Sequence, residues 1–155
     1  MKIIGKNPIT GLDYPDPDVI RVDDTYYMVS TTMHFVPGCE ILRSYDLVHW
    51  EHLSYVYERL DSTEEQRLVG EKNCYGKGMW AASLRYHKGM YYICFVANDT
   101  GKTYLYIADN IEGSPQKSKN RKSENPMYRE YSARWICRIL TVPLSLQILL
   151  VPPVR

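Results

Sequence analysis

Short runs of alternating apolar and polar residues dominate the first 110 positions of the chain. Val19, Ile20 and Val22 alternate with polar residues, a turn follows at Asp23-Asp24, and the run Tyr26 to Thr31 comes next. A period of two residues is typical of a half-buried strand, whereas a helix needs apolar positions three and four apart. The pattern predicts a β-hairpin here and a chain built mainly of strands.

This hairpin belongs to a four-strand unit that is repeated. The predicted strands of the first unit are Val19 to Val22, Tyr26 to Thr32, Glu40 to Ser44 and Trp50 to Tyr57. About 64 residues later, the first three predicted strands of the second unit are Ser83 to Tyr86, Met90 to Ala97 and Thr103 to Ala108. Such self-similarity predicts a radial β architecture, and two units are too few to close one.

Two loops stand out beside the strands. Pro15 and Pro17 fix their own φ at about −65° and favour extended backbone in the residue before each, so Asp16 is predicted on a stiff, extended loop suited to proton transfer. Residues 58–79, between the units, are polar and rich in Glu, Lys and Gly. They are predicted either to wall a pocket or to form a solvated connection with a short helical turn.

Composition and net charge limit the classes of partner that are expected for the chain. The chain has 155 residues, 45% of them hydrophobic, and a net charge of +1, which gives no reason to expect a nucleic acid or an anionic membrane as partner. The start lacks the apolar core of a secretory signal, and no stretch approaches the roughly 18 uninterrupted apolar residues of a membrane span. The cytoplasm is the predicted compartment.

The sequence gives little indication of a metal site or a cofactor site. The cysteines, Cys39, Cys74, Cys94 and Cys137, show no CxxC spacing, which favours packed thiols over a disulfide frame or a metal site. His49 and His52 are close in sequence, but no third ligand lies near them. No phosphate-binding loop of the P-loop or dinucleotide type occurs, so neither a metal nor a cofactor is predicted.

Charge divides the chain near residue 113. Residues 1–113 hold 11 Lys and Arg against 16 Asp and Glu, whereas residues 114–155 hold 8 against 2. The second segment begins with the basic run Lys117 to Lys122 and ends in an apolar stretch that prolines interrupt. We predict two regions: residues 1–113, which carry the repeated units, and a basic, then apolar, tail at 114–155.

Two sequence blocks carry a resemblance to a known family. The first contains Asn7-Pro8-Ile9, Tyr14-Pro15-Asp16-Pro17-Asp18, Tyr26 to Gly38 and Ile41 to Trp50; the second is Gly78-Met79-Trp80-Ala81-Ala82-Ser83-Leu84-Arg85-Tyr86-His87. In order, spacing and residue type, residues 7 to about 113 resemble the N-terminal part of glycoside hydrolase family 43, which contains β-xylosidases and α-L-arabinofuranosidases. The resemblance implies an all-β, five-bladed β-propeller fold, of which about two blades are present here.

The resemblance also implies a reaction and a site. Members hydrolyse terminal β-1,4-xylosyl or α-L-arabinofuranosyl residues of hemicellulose oligosaccharides with inversion, and the first Asp of their Pro-Asp-Pro motif, here Asp16, is the general base. Met33, His34 and Trp80 stand where members line the sugar pocket. The plainer alternatives are a turn-capping Asp16, a packed His34 and a Trp80 that fills space between blades. Asp18 is predicted to be a hydrogen-bonding residue at the start of a strand.

The resemblance stops near Gly113, where members have a Gly-Pro-Trp sequence and this chain has Gly113-Ser114-Pro115-Gln116. No residue of 114–155 matches the motif of the family's pKa-tuning Asp or its general-acid Glu, because the only carboxylates there are Glu124 and Glu130, in other contexts. The chain as written is therefore predicted to have little or no hydrolase activity. We hypothesise a shift of reading frame near codon 114; a genuine short variant is the alternative.

Two functions from other classes stay open. The first is a non-catalytic carbohydrate-binding or pseudoenzyme module, which would keep His34 and Trp80 but not need Asp16. The second is a protein–protein β-repeat module that binds no pentose. Because an unclosed propeller leaves sheet edges and faces open, self-association is also predicted.

Overall fold

The computed structural model describes residues 5–61, 63–112 and 136–140, the last five as backbone only. Within these ranges the chain contains no helix and forms two antiparallel four-stranded sheets. The first sheet consists of β1 (Asp18–Val22), β2 (Thr25–Val29), β3 (Gly38–Ser44) and β4 (Glu51–Tyr57), and the second of β5 (Met79–His87), β6 (Met90–Ala97), β7 (Lys102–Ala108) and β8 (Ile136–Leu140), in chain order. The predicted all-β fold with two successive four-strand units is confirmed.

The start of the second sheet differs from the prediction. β5 begins at Met79, four residues before the predicted Ser83, and therefore includes Trp80. Trp80 pairs with Val96 and Ser83 with Cys94, so that two residues, Ala81 and Ala82, stand opposite one. Such a β-bulge interrupts the alternation of buried and exposed positions. The period of two that predicts strands is lost there, and the sequence pattern places the strand too late.

The fourth strand of the second sheet was not predicted. β8 lies within the 114–155 tail and pairs antiparallel with β7, from Thr103 opposite Leu140 to Ile107 opposite Ile136. An apolar run without a period gives no indication of a strand, and the strand is specified by pairing with β7 rather than by its own pattern. The rest of the tail lies outside the described residues.

The core lies between the two sheets. Rings of Tyr57, Phe95, Tyr104 and Tyr106 contact one another with centroids 5.6–6.2 Å apart. The fully or nearly fully buried aliphatic residues around them are Val29, Ile41, Leu60, Met79, Leu84, Ile93 and Ile111. Each aromatic pair adds about 0.5–1.5 kcal/mol beyond the burial of its area. This core fixes the two sheets relative to each other and so positions the loops at their junction.

The loop between the sheets is anchored rather than free. The Leu60 amide donates to Gln66 Oε1 at 2.8 Å, and Gln66 Nε2 donates to Asp99 Oδ2 at 2.6 Å, just after β6. Leu60, Gln66 and Cys74 are buried. The loop contains one turn, closed by the Arg67 amide on the Thr63 carbonyl at 3.0 Å. The loop therefore contains a short turn and is tied through Gln66 to the segment after β6.

Candidate functional site

Asp16 is exposed and lies in the loop two residues before β1, as predicted, but its backbone is not extended. Its φ is 49°, in the left-handed region, so the extended conformation that Pro17 favours was a wrong prediction for this residue. Asp tolerates this region better than most residues. Tertiary hydrogen bonds hold the loop in place: Ser30 Oγ and the Thr31 amide both donate to the Pro15 carbonyl, at 2.5 and 3.0 Å.

The Asp16 carboxylate is held through one oxygen. Thr31 Oγ1 donates to Asp16 Oδ2 at 2.9 Å, and the same hydroxyl accepts a hydrogen bond from the Ala81 amide of β5 at 2.8 Å. Among the described residues, Asp16 Oδ1 has no hydrogen-bond partner. The carboxylate is therefore fixed on one side and open to solvent on the other.

Met33 joins the two sheets through its backbone. Its amide donates to the Met79 carbonyl at 3.0 Å and its carbonyl accepts from the Met79 amide at 3.1 Å. Gly78 makes this approach possible, because a Cβ on Gly78 would lie 2.1 Å from the Met33 carbonyl oxygen. Met33 also has a positive φ, of 49°. Asp16, Met33 and Ala81, all with φ in the left-handed region, thus lie at the junction of the two sheets.

His34 lies between two exposed rings. Its ring centroid is 4.5 Å from that of Phe35 and 4.7 Å from that of Tyr75, whose exposed fractions are 62% and 80%. The Gly76 amide donates to His34 Nδ1 at 3.3 Å. In the neutral ring that this bond requires, the proton is on Nε2, which can donate to a ligand. Tyr75 and Gly76 belong to the inter-sheet loop, which therefore contacts a predicted site residue.

Trp80 is half-buried, and only part of its side chain is available. Its Nε1 atom is fully buried and has no hydrogen-bond partner among the described residues. The indole N–H therefore cannot reach a hydroxyl of a bound sugar in this arrangement. What Trp80 can offer to a ligand is the exposed part of its ring.

Asp18 is a structural residue, as predicted. Its Oδ2 atom accepts hydrogen bonds from Ser83 Oγ at 3.3 Å, the Leu84 amide at 2.8 Å and an Arg85 guanidinium nitrogen at 2.6 Å. All three donors belong to β5, whereas Asp18 opens β1. The carboxylate therefore ties the first strands of the two sheets together and is occupied in doing so.

The histidines and cysteines have local roles. His49 Nδ1 contacts Asp46 Oδ2 at 2.6 Å, and His52 Nδ1 contacts Glu40 Oε1 at 2.9 Å. Hydrogen bonds from the His49 backbone and ring lower the pKa of the Asp46 carboxyl. Cys39, Cys74 and Cys94 are free thiols whose pKa is raised by burial; the Cys137 side chain lies outside the described residues.

Clusters of metal ligands and membrane-spanning helices are both absent from the described residues. No group of three or more His, Cys, Asp or Glu side chains there is arranged to hold a metal ion. Nor does that part of the chain include a helix with the length and hydropathy of a membrane span.

The predicted site residues thus lie around one junction of the two sheets. Thr31 links Asp16 to the residue after Trp80, and Met33 is bonded to the residue before Trp80. His34 faces the end of the inter-sheet loop. Sequence reasoning missed Thr31, because a hydroxyl in a strand run gives no sign of its tertiary partners, and Tyr75, because a single tyrosine in a polar loop carries no pattern.

Known proteins show similarity to this chain in sequence and in fold. The model of the family "Glycosyl hydrolases family 43" matches residues 5–125, which extends beyond residue 113, where the resemblance read from the sequence ends. A β-xylosidase of Formosa agariphila is 42% identical over 107 residues, which cover 69% of this chain and 18% of that protein. A non-reducing end α-L-arabinofuranosidase of Bacteroides ovatus is 39% identical over 89 residues, 57% of this chain and 16% of that protein.

Solved structures give the same result. A bifunctional GH43-CE protein of Bacteroides eggerthii superposes with a TM-score of 0.72 at 40% identity, over 88% of this chain and 15% of that one. A xylan β-1,4-xylosidase of Bacillus halodurans gives a TM-score of 0.58 at 33% identity, over 71% of this chain and 22% of that one. The chain spans about a fifth or less of the length of these relatives.

Proposed function

Because the chain belongs to glycosyl hydrolase family 43, we propose that it supplies the general base of an inverting glycosidase that removes terminal xylosyl or arabinofuranosyl residues. The proposed substrates are β-1,4-xylosyl and α-L-arabinofuranosyl linkages in hemicellulose oligosaccharides. The names of similar proteins, a β-xylosidase and an α-L-arabinofuranosidase, support this class of substrate.

Asp16 is the base in this proposal. An inverting glycosidase activates a water with one carboxylate and protonates the leaving oxygen with a second carboxyl group ~6.5–9.5 Å away. Asp16 takes the proton from the water, which attacks the anomeric carbon from the face opposite the leaving group. The supporting observation is that Asp16 Oδ2 is fixed by Thr31 while Oδ1 has no partner among the described residues.

The sugar pocket of the proposal uses the neighbouring residues. The exposed part of the Trp80 ring packs against the apolar C–H face of a pentose, and His34 Nε2 donates to one of its hydroxyls. Met33 is held at the pocket by its bonds to Met79. Tyr75 and Phe35 extend the ring surface beyond His34.

The activity expected of this chain depends on the general acid. No carboxylate of residues 114–155 matches the family's general acid, so the leaving oxygen of a natural substrate would depart unprotonated. Each proton-transfer partner contributes on the order of 10²–10⁴-fold to the rate. We therefore propose that this chain does not cleave xylobiose measurably but does cleave a xyloside whose leaving group needs no proton.

The test compares two substrates and two variants. The wild-type chain is assayed on 2,4-dinitrophenyl β-D-xyloside and on xylobiose, and the anomer released is identified by NMR. We expect cleavage of the activated xyloside alone, with α-xylose as the first product. Asp16→Asn should lower that rate by about 10²–10⁴-fold.

The matched control is Asp13→Asn, another exposed carboxylate of the same loop, which should leave the rate unchanged. Azide, an anion that attacks without a base, should restore cleavage in Asp16→Ala and yield α-xylosyl azide. Equal rates in the wild type and Asp16→Asn, or no cleavage of the activated xyloside by the wild type, would contradict the proposal.

A non-catalytic carbohydrate-binding module is the second candidate, favoured by the exposed rings of Phe35 and Tyr75. Such a module would bind xylotriose with the same affinity in the wild type and in Asp16→Ala. It would also release no sugar from the activated xyloside, so the same assay separates the two functions.

A further inference from the structure

Thr31 connects the candidate base to the second sheet through a single atom. Its Oγ1 lies 2.9 Å from Asp16 Oδ2 and 2.8 Å from the Ala81 amide nitrogen. Thr31 itself is buried, with 5% of its surface exposed. The threonine is therefore largely shielded from water, and its hydroxyl makes both hydrogen bonds to groups of the protein.

The direction of both hydrogen bonds is fixed by chemistry. A backbone amide can only donate, so Thr31 Oγ1 is the acceptor of the Ala81 bond. The one proton of the hydroxyl is then available for Asp16, whose carboxylate is a strong acceptor. The Ala81 N–H therefore orients the Thr31 hydroxyl, and this hydroxyl in turn orients the Asp16 carboxylate.

The β-bulge of β5 makes this arrangement possible. Ala81 is one of the two residues opposite a single residue of β6, and its φ is 44°. Bulges remove a residue from the hydrogen-bonded ladder and redirect it, and non-glycine residues with positive φ persist where the surroundings hold them. Here the redirected Ala81 amide points to Thr31 of the first sheet.

We propose that Thr31 is a positioning residue for the general base and that the bulge of the second sheet sets the orientation of a base carried by the first. This inference rests on the proposed function of Asp16. Without the hydroxyl, the Asp16 carboxylate can rotate away from the water that it must deprotonate. Misplacement of a catalytic group by about 1 Å can lower a rate by 10²-fold.

The test uses Thr31→Val, which keeps the shape of threonine without its hydroxyl, and Thr31→Ser, which keeps the hydroxyl. On 2,4-dinitrophenyl β-D-xyloside, Thr31→Val should lower kcat by about 10- to 100-fold with little change in KM. Thr31→Ser should retain kcat within about threefold. Thr31→Ala serves as a second variant without a hydroxyl if Thr31→Val folds poorly, and urea unfolding identifies such a loss.

The Asp16→Ala variant with azide distinguishes a positioning role of Thr31 from a merely structural one. In Asp16→Ala with azide, the attacking group needs no base, so adding Thr31→Val should have no further effect on the rate. A merely structural role would lower the rate in both backgrounds and would overturn the inference. So would a wild-type rate in Thr31→Val. If the wild-type chain does not cleave the activated xyloside, the proposed function itself fails and this inference fails with it.

Discussion

At the scale of single residues, the junction of the two sheets depends on a glycine, Gly78, at a position where a side chain would not fit. Gly78 has a φ of 86°, and a Cβ there would lie 2.1 Å from the Met33 carbonyl oxygen and 2.7 Å from its carbonyl carbon. These are backbone atoms and cannot rotate away as the end of a flexible side chain can. The close approach of Gly78 is what allows Met33 and Met79 to exchange hydrogen bonds.

Gly78→Ala should therefore destabilise the chain by at least about 2 kcal/mol, because it adds a backbone clash to an unfavourable φ. Gly89→Ala is the matched control: its φ is 79°, but nothing lies within 4 Å of the added Cβ. That variant should lose only about 1 kcal/mol. Urea unfolding followed by Trp fluorescence measures both, and equal losses would show that the clash is relieved.

Residues also show how far sequence reasoning reaches into the site. Asp16, Met33, His34 and Trp80 were selected from motif positions, and they lie around one junction. The backbone of Asp16 was not predictable, because the local preference set by Pro17 is overridden by hydrogen bonds from residues 30 and 31. Thr31 and Tyr75 derive their significance from partners about 40 to 50 positions away, which no local pattern encodes.

At the scale of elements, β1 and β5 are held together by one carboxylate. Asp18 Oδ2 accepts from the Leu84 amide and from Arg85, and Leu84 is fully buried. A buried amide that loses its acceptor cannot form a replacement hydrogen bond with water. The ion pair with Arg85 is partly exposed and contributes less than the amide bond does.

Asp18→Ala should thus destabilise the chain by about 1–3 kcal/mol, chiefly through the orphaned Leu84 amide. Asp24→Ala removes a fully exposed carboxylate that pairs with the half-exposed Arg21, and it should leave the stability almost unchanged. The free energies of unfolding from urea titrations compare the two. A loss of the same size in both variants would contradict the assigned role of Asp18.

The strands were predicted from the sequence better than any other part of the fold. Strands with a clear period of two, such as β6, were predicted with their observed bounds. β5 was placed too late because its bulge breaks that period, and β8 was missed because its pairing with β7, rather than its own sequence, defines it. Both errors arise where tertiary pairing outweighs local pattern.

At the scale of the whole molecule, the second sheet has a face of apolar side chains that the described residues cover only in part. Along β6 and most of β7, buried residues alternate with partly exposed ones, and the partly exposed apolar residues are Met90, Tyr92, Cys94, Val96, Leu105 and Ile107. These side chains are neighbours across the strands, with Tyr92 opposite Ile107 and Cys94 opposite Leu105. Contiguous faces of this kind promote association.

We accordingly predict that the chain self-associates through this face and that Ile107→Lys weakens the association. Sedimentation velocity over a range of concentrations should show a concentration-dependent mass for the wild type and a smaller mass for the variant. Leu68→Lys, at a loop position that is 67% exposed, is the matched control and should behave as the wild type does. A wild-type monomer at every concentration would exclude self-association.

The tie between Asp18 and Leu84 also has a consequence for the order of events during synthesis. The two residues are 66 positions apart, and Thr31 and Ala81 are 50 apart. At ribosomal rates of about 5–20 residues per second, the Asp18 side chain waits roughly 3 to 13 seconds for its partner to be made. The first sheet therefore emerges without the hydrogen bonds that join Asp18 and Thr31 to β5, and these bonds form only once the second sheet has been translated.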